Sequence, residues 1–147
     1  MESLYFEDFA QGQEFVTRSR TITEADVVAF AGLSGDFHPL HTDEEFAKKT
    51  MFGARIAHGL LGLSIASGLI NQMGIGEKTV LAFLGLTWNF KGALKFGDTI
   101  TVRQKVAEKR DTSKPDRGIL RMAIEVINQR GEVVQEGEHT LMIKRRV

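Results

Sequence analysis

Cysteine is absent from this chain of 147 residues, which removes disulfides, thiolate metal sites and thiol nucleophiles together. Excess charge of either sign is absent too. Nineteen Lys and Arg balance nineteen Asp and Glu, so nothing marks a polyanion such as nucleic acid as a partner. No stretch reaches the roughly 18 uninterrupted apolar residues of a membrane span. The opening Met1-Glu2-Ser3-Leu4-Tyr5-Phe6-Glu7-Asp8 lacks both the basic and the apolar region of a secretory signal. A cytoplasmic location without a membrane partner is expected. Repeats, low-complexity segments and linkers are missing as well, so residues 1–147 are read as one domain, and 42% hydrophobic residues suffice for a core. The closing Lys144-Arg145-Arg146 reads as a solvated tail rather than a binding patch.

What is present divides into two halves. Residues 14–22 read as a strand, after which Thr23 caps a helix carrying Glu24 and Asp26 in its first turn, with Val27, Val28 and Phe30 on its buried side. This helix should end between Gly32 and Gly35. Thr42 followed by Glu45 matches a capping box, predicting a second short helix from Asp43 to about Lys49. Residues 56–73 carry almost no charge, as a core helix buried on most of its circumference does. Gly59, Gly62 and Gly68 lower its helix propensity and point to close approach of another backbone or a ligand. The second half holds four long β-rich stretches, at residues 79–90, 98–110, 118–128 and 133–145, separated by turn residues. Ile100, Val102, Gln104 and Val106 alternate with Thr99, Thr101, Arg103 and Lys105. The fold class is therefore α+β, with an antiparallel sheet wrapped around a central apolar helix.

Chemistry concentrates in Leu33-Ser34-Gly35-Asp36-Phe37-His38-Pro39-Leu40-His41, which sets a carboxylate and an imidazole five positions apart on a segment stiffened by proline. Pro39 pushes His38 towards an extended conformation, so Asp36 and His41 are expected on a loop rather than along a helix, the usual setting of catalytic side chains. The plain alternative is a turn aspartate and a packed histidine. Gly59 lies near the start of the core helix, where a backbone N–H has no partner within the helix and could hold a carbonyl oxygen that gains charge; it could equally serve close packing. Asp36, His38 and His41, with His58 or water as a fourth ligand, have the look of a metal site. They match no standard ligand spacing, and no metal is expected. Residues 74–79 lack the spacing of a phosphate loop and read as the loop leaving the core helix.

These residues fall into a pattern that resembles the MaoC-like dehydratases, the hot-dog proteins that include the (R)-specific enoyl-CoA hydratases. It runs from Tyr5-Phe6-Glu7-Asp8-Phe9 through Thr23-Glu24-Ala25-Asp26, Ser34 to His41, Ile56-Ala57-His58-Gly59 and Ser67-Gly68 to Trp88-Asn89-Phe90-Lys91 and Gly97-Asp98-Thr99-Ile100. The family usually has asparagine where this chain has His38, so the hydrogen bonding of the loop is expected to differ and a third titratable group to lie near the pair. The resemblance implies a single hot-dog domain in which Asp36 and His41 activate one water, Gly59 supplies the oxyanion N–H, and His58 and Ser67 lie beside the site. Leu60, Leu61 and Leu63 would line an acyl tunnel, and Lys91 and Lys95 are candidates to meet coenzyme A. It further implies a homodimer or an assembly of dimers, and no cofactor other than the coenzyme A of the substrate.

The activity so implied is hydration of a trans-2-enoyl-CoA to the (R)-3-hydroxyacyl thioester, or the reverse. The alternatives are a hot-dog acyl-CoA thioesterase, a 3-hydroxyacyl dehydratase acting on acyl carrier protein, and a non-catalytic acyl-CoA-binding subunit. An Asp/His pair suits chemistry at the β-carbon, which needs a base for water, an acid at C2 and a donor for the enolate oxygen.

Overall fold

The computed structural model describes residues 2–147. A 3-10 turn (Phe6–Asp8) leads into strands β1 (Glu14–Val16) and β2 (Arg20–Thr21). Four helices follow: α1 (Glu24–Ser34), α2 (Pro39–Thr42), α3 (Glu44–Ala47) and α4 (Gly59–Gln72). The chain then forms β3 (Val80–Phe90), β4 (Thr99–Asp111), β5 (Arg117–Ile127) and β6 (Val133–Lys144). The strands make one antiparallel sheet in the order β1-β4-β5-β6-β3, with β2 pairing further along β4.

Inward positions of the sheet alternate as the sequence requires. Ile100, Val102, Gln104 and Val106 of β4 are buried, and Leu120, Met122, Ile124 and Val126 of the neighbouring β5 lie beside them on the same face of the sheet. Leu61, Ile65, Ala66 and Leu69 of α4 complete that core, so the sheet wraps the apolar helix. Gln135 of β6 fastens the two together: its amide N–H donates to the Gly59 carbonyl (3.0 Å), and its oxygen accepts from the Trp88 indole (3.0 Å). Among the described residues no helix is long and apolar enough to cross a membrane.

Several expectations need correction. The first strand breaks after Val16. The Thr17 hydroxyl takes the Val102 N–H (3.0 Å) in place of a backbone rung, and β1 and β2 resume pairing with one extra residue on their side. Thr23 does cap α1, in a box with Asp26, and the helix stops at Gly35 in the left-handed region (φ 79°). Val28, however, is 58% exposed, and Ala31 takes its place in the core. Thr42 caps nothing: its hydroxyl turns back to the Phe37 and His38 carbonyls, and Asp43 accepts the Phe46 N–H at the start of α3. The core helix begins at Gly59, because Ile56 forms a bridge with Lys95 and the Ala57 N–H donates to the Leu94 carbonyl. The basic tail is fastened down. Arg145 pairs with Glu7 and Asp111, and Arg146 grips Asp8 through two nitrogens.

Candidate active site

The Asp36 to His41 segment folds because local polar groups replace regular structure. Ser34 accepts the Asp36 N–H (3.1 Å), and the Asp36 carboxylate accepts the His38 N–H (3.2 Å). His38 is extended as Pro39 requires, and its Nδ1 accepts the Leu40 N–H (3.0 Å), capping α2. The role expected of an asparagine is thus filled by an imidazole, whose ring lies 6.1 Å from that of His41. Asp36 lies on the loop as expected. His41 does not: Pro39 opens a single helical turn, and His41 sits on that turn.

His41 Nδ1 lies 2.7 Å from the Ile56 carbonyl. A carbonyl only accepts, so Nδ1 carries the proton and Nε2 of the neutral ring keeps its lone pair. Burial is the main cause that holds the His41 pKa below its ordinary value. The Ile56 carbonyl opposes this, His58 adds to it, Asp36 opposes, and His38 adds a smaller share. His41 is therefore a neutral base at pH 7.

His58 supports this arrangement from beneath. It is buried, its ring stacks on His41 at 3.8 Å between centroids, and Phe30 packs on it at 4.9 Å. Its Nε2 donates to the Asp36 carbonyl (2.9 Å), which ties the loop to the start of α4. Its Nδ1 is buried without a partner. Side-chain ligand atoms of Asp36, His41 and His58 all lie within 4.8 Å of one another, a span that one water bridges with two hydrogen bonds. A cation fits this cluster poorly. The two imidazole planes are inclined by only 26° and stacked, so an ion in the plane of one ring lies well off the plane of the other, whereas imidazole lone pairs bind in plane.

The N-terminus of α4 lies at the residue after His58, whose ring stacks on His41. No side chain caps it, so the Gly59 N–H is free for a developing negative charge at the positive end of a 14-residue helix. Packing also requires this glycine, since an added Cβ would lie 2.7 Å from the Phe90 ring. A cleft of about 470 Å³ opens beside it, lined by Phe52, Ile56, Gly59, Leu60, Phe90 and Lys91 among others.

The remaining residues proposed from sequence are divided between this cleft and other places. Lys91 is on the wall of this cleft but pairs with Glu136 (3.1 Å), whereas Lys95 is exposed at the bridge to Ile56. Of the three leucines, Leu60 lines the cleft and Leu61 is in the core. Leu63 is half-buried and lines neither this cleft nor the cavity described next. Ser67 is not beside Asp36 and His41. It lies two turns along α4, about 12 Å from Gly59 at the rise of an α-helix, and lines a second cavity. Sequence reasoning missed Gln135 and the Ile56 carbonyl; the signal for Gln135 was a glutamine at an inward position of a strand.

Comparison with known proteins shows the family to which the chain belongs. A family profile described as MaoC like domain matches residues 8–126. An (R)-specific enoyl-CoA hydratase from Rhodospirillum rubrum is 35% identical over 146 residues, covering 97% of this chain and 93% of that protein. A 3-hydroxybutyryl-CoA dehydratase from Methylorubrum extorquens is 34% identical over 143 residues, with 97% and 86% covered. The structure of a protein from Archaeoglobus described as a monoamine oxidase regulatory protein superposes with a TM-score of 0.93 at 40% identity, covering 100% of this chain and 98% of that one. With its antiparallel sheet around one apolar helix, the hot-dog fold, the chain belongs to the MaoC-like family.

Proposed function

We propose that this chain is a cytoplasmic hydro-lyase that adds water to a trans-2-enoyl-CoA thioester to give the (R)-3-hydroxyacyl-CoA, and that catalyses the reverse dehydration. The observation that carries the reading is the placement of the Asp36 carboxylate and the His41 imidazole within bridging distance of one water beside the uncapped Gly59 N–H. His41 Nε2 takes a proton from the water as its oxygen bonds to C3. The electron pair of the double bond moves to the thioester oxygen, where the Gly59 N–H holds the enolate. The proton that His41 took from the water then passes through the Asp36 carboxylate to C2, so both groups end as they began, one water is consumed and no cofactor is needed. Lys91 and Lys95 supply positive charge near the cleft for the coenzyme A phosphates. The hydratase and dehydratase names of the relatives from Rhodospirillum and Methylorubrum support the reaction class.

The active form is proposed to be a homodimer. Among the described residues strand β3 pairs only with β6, and along its free edge Phe83, Leu84, Leu86 and Phe90 are about half exposed, a template for edge-to-edge pairing. The test is to follow loss of enoyl-thioester absorbance over a panel of short trans-2-enoyl-CoA esters while free thiol is monitored. Absorbance loss without thiol, yielding the (R) product, is expected; thiol release would replace the reading by a thioesterase.

A further inference from the structure

A second cavity of about 270 Å³ lies between the C-terminal half of α4 and the inner face of the sheet. Ile70, Phe83, Met122 and Leu141 give it an apolar wall. Four polar side chains break that character: Ser67 and Asn71, exposed on α4, and two buried ones, Gln104, 3% exposed, and His139, 6% exposed. Gln104 stands where the other inward residues of its strand are Ile100, Val102 and Val106. His139 is held between the rings of Phe83 and Trp88, at 5.0 and 5.6 Å. Its Nε2 is buried with no partner, and the Gln104 amide lines the same cavity. Buried polar groups without partners are rare, and each one costs stability unless a ligand or water satisfies it.

The charge state of the wall narrows the ligand. No Lys, Arg, Asp or Glu lines the cavity, and burial lowers the His139 pKa, so its ring is neutral at pH 7. A carboxylate entering here would lose its hydration without gaining a counter-charge. A neutral imidazole and an amide instead offer both a donor and an acceptor, which suits a hydroxyl or ketone oxygen.

We propose that this cavity receives the far end of the acyl group, and that this end carries a neutral oxygen, a hydroxyl or a ketone, bound by His139 and Gln104. The proposal rests on the hydratase reading. It takes a thioester oxygen at the Gly59 N–H to send its acyl chain along α4 towards Ser67 and Ile70, which line the cavity.

Three trans-2-enoyl-CoA esters of matched length, ending in methyl, hydroxyl and carboxylate, test it on the wild-type protein and on the Gln104→Leu and His139→Phe variants. The wild type is expected to favour the hydroxyl end over the methyl end about tenfold in kcat/KM, with the carboxylate end lowest, and each substitution to bring the hydroxyl-to-methyl ratio towards one. Equal rates, or a preference for methyl, in the wild type would overturn the proposal. A second readout does not depend on turnover: the ring resonances of His139 followed by NMR as hexan-1-ol is added. A shift, with competitive inhibition of hydration by the alcohol, is expected. A shift without competition would make the cavity a site for a free alcohol and overturn its assignment to the acyl end. No shift would overturn it as an oxygen site. If no enoyl ester is hydrated, the hydratase reading falls by itself, and the NMR titration still decides what the cavity holds.

Discussion

At the scale of single residues, the proposed chemistry depends on His41 being neutral while Asp36 stays within reach of the same water. Burial lowers the pKa of His41, so hydration measured as kcat/KM should be level above that pKa and fall as pH drops through it, with a midpoint below the ordinary value of about 6.5. A midpoint above 6.5 would contradict the assigned base. Burial also lowers the pKa of His139. The unfolded chain then takes up protons first as pH falls, so the stability these two histidines add is whole above about 6.5 and is lost progressively below it. Melting temperature should therefore decline from pH 7.5 to pH 5.5, and less steeply in His139→Phe. The loop position of Asp36 was legible in the sequence because Gly35 and Pro39 punctuate the segment, whereas the helical turn that carries His41 was not. His58 was legible as a neighbour, but not its stacking under His41, which depends on where α4 meets the loop.

At the scale of elements, the glycines of α4 separate two reasons for having no side chain. An added Cβ at Gly62 would lie 2.4 Å from the Gln135 amide nitrogen and 2.7 Å from Leu94, whereas at Gly68 nothing lies within 4 Å. Gly62→Ala should destabilise the protein by about 1–3 kcal/mol through overpacking. Gly68→Ala should stabilise it by about 0.4–1 kcal/mol, as a helical glycine in open space does. Thermal denaturation of the two variants checks both signs. The sequence treated these glycines alike because periodicity says which turn a residue occupies and not what stands opposite. The same limit explains Thr42 and Asp43: adjacent residues can both cap, and the choice fell to Asp43 once the Thr42 hydroxyl found the carbonyls of Phe37 and His38. The cap at Thr23 was legible because Asp26 closes the box locally.

At the scale of the whole molecule, the sheet has one long edge with no partner in the subunit. Replacing Leu86 of β3 by lysine should convert a dimer to a monomer in analytical ultracentrifugation, since an edge charge opposes strand pairing; a dimer that persists in Leu86→Lys would move the interface elsewhere. The α+β class and the wrapped helix could be read from composition shift and alternation alone. The position of Ser67 could not, because helical spacing places it on α4 without saying which cavity that turn meets. The central claim is that Asp36 and His41 act on one water as a unit. It is tested most directly by kcat/KM for a short trans-2-enoyl-CoA in Asp36→Asn and His41→Ala, with circular dichroism confirming the fold. Each variant should lose at least about a hundredfold, the lower range for removing a positioned acid or base, and the double variant little more than the worse single one. A folded single variant that hydrates at the wild-type rate would contradict the account.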